Sequence, residues 1–339
     1  MRGQGSVGCF RGFALVTRMA DDVLVRVEHL YRYYGELCAV HGLSLELRKG
    51  EVLGFLGPNG AGKTTAMQVI SGNLAPSSGR VWIHGTDLLD HPQRAKAQLG
   101  YLPEQPPLYR EFTVDEYLGF CARINRIPRG RIREAVRSAK ERCGLGTVGA
   151  RLIGNLSKGY QQRVGIAQAI IHTPAVVILD EPTVGLDPIQ IREIRDLIQE
   201  LGKEHSVILS THILPEVQAI CNRVLMIHRG EQVLYGTMDE VTRDARMQGL
   251  TAAFRHPPAA AELAAIPGVA EVQSVGDGRL RLSLEPGADP TEALVARAVE
   301  RHWGLCELIP ERASLEQLFV DLVYRDQEAR PVPAPTEAA

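Results

Sequence analysis

The sequence predicts an α/β domain with an inserted helical subdomain, followed by a small α+β domain of ferredoxin-like order. Three observations lead there. From Val23 onward, short β-rich runs alternate with helical stretches. The apolar run Val52 to Leu56 opens directly into a glycine-rich turn and then a helical stretch. Near residue 250 the composition shifts, and the pattern becomes strand, helix, two strands, helix, strand.

Residues 1–21 read as a disordered leader, with Met19 as an alternative start. Two arginines precede the apolar patch Phe13 to Val16, which is shorter than the roughly 7–15 residues of a signal-peptide core. Residues 22–248 form the larger domain. Leu43, Leu45 and Leu47 alternate with polar residues as a half-buried strand, and Val52 to Leu56 is a buried one. Residues 113–143 are helical and charged, within a helical subdomain spanning about 106–165. Val176 to Leu179 and Val207 to Leu209 are core strands. Val224 to Ile227 and Gln232 to Tyr235 make a hairpin around Arg229-Gly230.

Residues 249–325 form the smaller domain. Its strands are Leu250 to Phe254, Val269 to Val275, Leu280 to Leu284 and Leu305 to Ile309, and its helices are Ala259 to Ala265 and Thr291 to Arg301. Leu315, Leu318, Phe319, Leu322 and Val323 share one face of a last helix. Residues 326–339, rich in Pro, Ala and Glu, read as a disordered tail.

A chain of 339 residues suits one large domain plus a smaller one. The formal net charge of -2 offers no basic surplus for a nucleic-acid backbone, so no nucleic-acid partner is expected. The six cysteines are scattered without a CxxC pair, which suggests neither a disulfide framework nor a zinc site, and a reducing compartment. No apolar stretch approaches the roughly 20 residues that span a bilayer. Any membrane role would therefore run through a partner.

Two motifs carry chemistry. Gly57-Pro58-Asn59-Gly60-Ala61-Gly62-Lys63-Thr64 follows a strand, precedes a helix and continues into Thr65. Its glycines let backbone N–H groups turn inward around phosphate oxygens, and the helix beginning at Lys63 aims its positive end at the same anion. Lys63 is placed to reach the β- and γ-phosphates of ATP, and the Thr64 hydroxyl to hold Mg²⁺. The second motif is the apolar run from Ala175 ending in Asp180-Glu181. Carboxylates at a buried strand end are costly unless paired, and a magnesium ion pairs with them. Asp180 is then the metal-orienting group and Glu181 the base that polarises the attacking water. A strand followed by plain turn residues is the alternative for this segment taken alone.

The segment Leu156-Ser157-Lys158-Gly159-Tyr160-Gln161-Gln162-Arg163, just before Asp180, resembles the signature sequence of ABC-transporter ATPases. The resemblance extends over residues 23–245. It implies that Tyr34 stacks on adenine, that Asp187 in Gly185-Leu186-Asp187 contacts a second subunit, and that His212 is the switch histidine beside the γ-phosphate. It also implies ATP and Mg²⁺ as cofactors, and a homo- or heterodimer of ATPase subunits in which Ser157 and Gly159 of one face the phosphate loop of the other. Lys158 and Tyr160 depart from the usual glycine and glutamine, while Ser157 and Gly159 keep the anion-binding backbone. In Gly100-Tyr-Leu-Pro-Glu104-Gln105, counting from Gly100 puts Glu104 at the family's metal-contacting glutamine, with its neighbour Gln105 as the alternative.

Tyr31, Tyr33 and Tyr34 are read on a loop, and the arginines from Arg126 to Arg137 as a solvated helix face. The appended domain resembles those of subunits paired with type-2 exporter membrane proteins. The expected protein is the ATP-hydrolysing subunit of an exporter, peripheral on the cytoplasmic face and bound to a separate polytopic permease. The alternatives are a non-transport ATPase acting on ribosomes or DNA, and a regulatory or assembly ATPase.

Overall fold

The computed structural model describes residues 22–243, 247–276, 279–285, 287–312 and 319. The leader, the tail and the last helix apart from Phe319 lie outside those residues. The chain divides into two compact units between Met238 and Asp239.

The larger unit holds a ten-stranded sheet. One half is antiparallel. Strand β1 (Val23–Tyr34) pairs with β2 (Leu37–Arg48) on one side and β4 (Ser78–Ile83) on the other, and β5 (Thr86–Asp87) closes the edge. The other half is parallel: β3 (Val52–Leu56) lies between β8 (Ser206–Thr211) and β9 (Arg223–His228), and β7 (Val176–Asp180) lies between β8 and β6 (Leu99–Leu102). All residues of β3, β7 and β8 are buried, as expected of parallel strands covered on both faces. Strand β10 (Glu231–Thr237) turns back on β9 through Arg229 and Gly230, both at positive φ, a tight hairpin as the sequence predicts.

Tyr31, Tyr33 and Tyr34 are not on a loop but end the 12-residue strand β1. Periodicity fails there because β1 pairs irregularly: His29 sits at φ 46, and the register with β2 shifts on both sides of Leu30. Val25, Val27 and Leu30 still reach the core that Phe55, Met67 and Ile178 share.

Helix α1 (Lys63–Ile70) follows β3, and α2 (Pro92–Lys96) precedes β6. Helices α3 (Val114–Ile124), α4 (Ile132–Arg142) and α5 (Lys158–Ile170) lie between β6 and β7. A reciprocal cap starts α3: the Thr113 hydroxyl accepts from the Glu116 N–H, and the Glu116 carboxylate accepts from the Thr113 N–H. Arg126, Arg129, Arg131, Arg133 and Arg137 are exposed, as the sequence suggests. Helix α6 (Pro188–Gly202) links β7 to β8, α7 (Leu214–Ile220) links β8 to β9, and α8 (Met238–Arg243) follows β10.

The smaller unit runs β11 (Met247–Phe254), α9 (Ala260–Ala264), β12 (Val269–Gly276), β13 (Arg279–Leu284), α10 (Thr291–Glu300) and β14 (Leu305–Arg312). Its antiparallel sheet has the order β12-β13-β11-β14, the ferredoxin-like arrangement. Leu250, Phe254, Leu263, Leu282, Leu294 and Trp303 form its own core. No helix among the described residues is long and apolar enough to cross a membrane.

Candidate nucleotide site

The loop between β3 and α1 forms one wall of a cleft of about 780 Å³ at the carboxyl ends of the parallel strands. Asn59, Gly60, Gly62, Lys63, Thr64 and Thr65 line it, joined by Tyr34, Cys38, Glu104, Glu181, His212 and Arg229. Gly62 caps α1 at φ 104, and a Cβ there would come within 2.3 Å of the Ala39 carbonyl oxygen. Only glycine fits that turn.

Glu181 is held from two sides. Lys63 Nζ is 3.2 Å from Glu181 Oε1, and His212 Nδ1 is 2.9 Å from Glu181 Oε2. Lys63 also donates to the carbonyls of Gly57 at 2.8 Å and Pro58 at 3.2 Å, which keeps its ammonium at the loop. Glu181 itself sits at φ 48, a backbone region that costs a non-glycine residue about 1 kcal/mol or more. Ser210 on β8 holds it there, because the Glu181 N–H donates both to the Ser210 carbonyl at 3.1 Å and to its hydroxyl at 3.0 Å.

The same hydroxyl donates to Asp180 Oδ1 in a very short contact, and the Thr64 hydroxyl reaches that oxygen at 3.5 Å. Asp180 is fully buried, and its Oδ2 has no hydrogen-bond partner among the described residues. Burial raises the Asp180 pKa, the hydrogen bonds from Ser210 and Thr64 pull it down, and the charges of Glu181 and Glu104 push it further up. Such a carboxylate suits a cation.

The predicted residues fall into two groups. Tyr34, Asn59, Gly60, Gly62, Lys63, Thr64, Thr65, Glu104, Glu181 and His212 line one cleft, and Asp180 lies beneath it. Glu104, rather than Gln105, is the one lining it. Tyr34 is 45% exposed, with the Arg32 guanidinium 4.8 Å from its ring centroid. Gly57, Pro58 and Ala61 build the loop behind this lining, and the Ala61 N–H donates to the Pro58 carbonyl.

Ser157, Gly159 and Asp187 do not line the cleft of their own chain. Ser157 caps α5 by accepting from the Tyr160 N–H, and Gly159 is buried against Gln190 of α6. Asp187 caps α6 by accepting from the N–H groups of Ile189 and Gln190. Sequence reasoning missed Ser210, since a hydroxyl inside an apolar strand gives no signal of which carboxylate lies on the next strand. It also missed Cys38 and Arg229, which no motif marks.

A family model described as ABC transporter matches residues 40–184. The ABC transporter ATP-binding protein NatA of Bacillus subtilis is 38% identical over 218 residues, covering 64% of this chain and 89% of that protein. The linearmycin resistance ATP-binding protein LnrL of Bacillus subtilis is 30% identical over 315 residues, covering 89% of this chain and 99% of that protein. Among solved structures, cbiO1 from Clostridium perfringens, described as part of the ABC transporter complex cbiONQ, matches at 31% identity with a TM-score of 0.59. That match covers 66% of this chain and 94% of the other.

Proposed function

Since the chain belongs to the ABC transporter family as an ATP-binding subunit, we propose that it powers export through a separate polytopic membrane subunit, from the cytoplasmic face of the membrane. The family's ATP-binding domain implies ATPase activity, and its subunits dimerise and work with membrane permeases. The export direction draws on LnrL, a resistance protein whose match covers 89% of this chain, more than the larger unit, Met1 to Met238, could supply alone. The smaller unit therefore belongs to the likeness. The absence of basic surplus weighs against a ribosome- or DNA-acting ATPase.

The observation that carries the catalytic reading is Glu181, whose two carboxylate oxygens face Lys63 and His212 in the cleft. In this reading the phosphate loop binds ATP, Lys63 holds the terminal phosphate, and Tyr34 offers its exposed ring to adenine. A phosphate that draws Lys63 toward itself frees Glu181 to orient water and take up its hydrogen bond. His212 steadies both the carboxylate and the phosphate. Thr64, Asp180 and Glu104 fit a magnesium ion, because the buried Asp180 Oδ2 has no other partner among the described residues. Held by those residues, a magnesium ion would supply charge neutralisation for the phosphate oxygens. Ser157, Gly159 and Asp187, lying off this cleft, serve the cleft of a partner ATPase subunit in a head-to-tail homo- or heterodimer.

The test is to tag the chain, solubilise native membranes gently and identify what co-purifies by mass spectrometry. A polytopic membrane protein in near-equal amount supports the transport reading. Ribosomes or DNA-bound proteins from the soluble fraction, with no membrane partner, would overturn it and leave the ATPase standing.

A further inference from the structure

A fully buried carboxylate stands behind the His212 loop. Glu216, in the first turn of α7, has 0% exposure and takes no part in the cleft lining. Its Oε2 accepts from the Thr211 hydroxyl at 2.9 Å, and its Oε1 lies 3.5 Å from Nη2 of Arg195 on α6. A buried carboxylate survives only when paired in this way.

The Thr211 hydroxyl has two bonds. It donates to Glu216, and it accepts from the Ile213 N–H at 3.0 Å. Thr211 and Ile213 are the residues on either side of His212. One hydroxyl thus fixes both flanks of the histidine, and Glu216 fixes the hydroxyl's rotor by accepting its hydrogen bond. A free hydroxyl would turn. His212 in turn reaches Glu181 Oε2 at 2.9 Å.

We propose that Glu216 is a positioning residue for hydrolysis, holding His212 against Glu181 through Thr211. This rests on the reading of His212 as a group that acts on the reacting phosphate and water. Arg195 lies against Oε1, which leaves Oε2 to face the Thr211 hydroxyl. His212 is one of several groups lining the cleft, whereas Glu181 Oε2 is held by it directly, so the device acts mainly on turnover.

The test uses the purified full chain and steady-state ATPase assays on five variants: Glu216→Ala, Glu216→Gln, Thr211→Val, the Thr211→Val/Glu216→Ala double variant, and His212→Ala. Losing one buried hydrogen bond at a positioned group corresponds to about a tenfold change. Glu216→Ala and Thr211→Val are each expected to lower kcat about tenfold with KM within about twofold. The double variant should be no slower than either single one, because both remove the same link. Glu216→Gln still offers Thr211 an acceptor oxygen, so most of kcat should return.

Thr211→Val is nearly isosteric and guards against misfolding of the Glu216→Ala chain. Wild-type kcat in Thr211→Val, losses that multiply in the double variant, or a Glu216→Gln chain as slow as Glu216→Ala would each overturn the proposal. If instead His212→Ala turns over like wild type, the reading beneath it fails as well.

Discussion

Replacing Ser210 with alanine tests whether the site is held from the neighbouring strand. The Ser210 hydroxyl makes two contacts inside a fully buried strand: it donates to Asp180 Oδ1 and accepts from the Glu181 N–H. The second loss is small, because that N–H keeps the Ser210 carbonyl at 3.1 Å. The first is the larger, since a hydrogen bond to a carboxylate contributes about 1.5–3 kcal/mol. The Thr64 hydroxyl still reaches the same oxygen at 3.5 Å, which places the effect near the low end, about 1.5 kcal/mol. Removing one oxygen leaves little cavity to add.

For a unit of this size, that loss lowers the melting temperature by about 3–6 °C. Differential scanning calorimetry of the full chain reads it as a shift of the larger unit's transition. Glu181 at φ 48 also loses one of its two anchors, so kcat should fall while ATP affinity is kept. A melting shift under about 1 °C with unchanged kcat would refute the reasoning, because it would mean Ser210 neither stabilises Asp180 nor holds Glu181.

Lys63→Ala should weaken ATP affinity by at least about tenfold, the removal of one charge-assisted contact to phosphate; unchanged affinity by isothermal titration calorimetry would contradict the phosphate-loop assignment. Gly62→Ala should be far worse than Gly60→Ala, because a Cβ at 62 meets the Ala39 carbonyl oxygen at 2.3 Å while at Gly60, φ 80, it meets open space. Expect about 1 kcal/mol at Gly60 and about 3 kcal/mol or more at Gly62, read by thermal melts; equal losses would sink the argument. Leu282→Ala empties a fully buried position in the smaller unit's core and should cost that unit about 2–5 kcal/mol, seen as its calorimetric transition moving down. An unmoved transition would show that this core does not stabilise it.

The sequence revealed what is local. The phosphate loop, the strand ending in Asp180-Glu181 and the Arg229-Gly230 hairpin are each set by a few contiguous residues, and each is found where its pattern puts it. The smaller unit was readable for the same reason: alternation along short strands gave the element order, and that order allows few sheets. Strand β1 was not readable in its second half, where the irregular pairing around His29 and Leu30 breaks the alternation that identifies a strand. Ser210 and Glu216 were invisible for a different reason. Ser210 finds Asp180 thirty residues away across a parallel pair, and Glu216 finds Arg195 on another helix; both contacts come from packing rather than from sequence spacing.

The central claim is that Glu181 drives hydrolysis of ATP held between two ATPase subunits. Its most direct test is Glu181→Gln in the full chain, with ATP binding, phosphate release and association state measured together. The account predicts retained ATP binding, nearly abolished turnover and a long-lived dimer that forms with ATP and not with ADP. Turnover near wild type, or bound ATP that promotes association neither with a second copy nor with a co-purifying ATPase subunit, would contradict it.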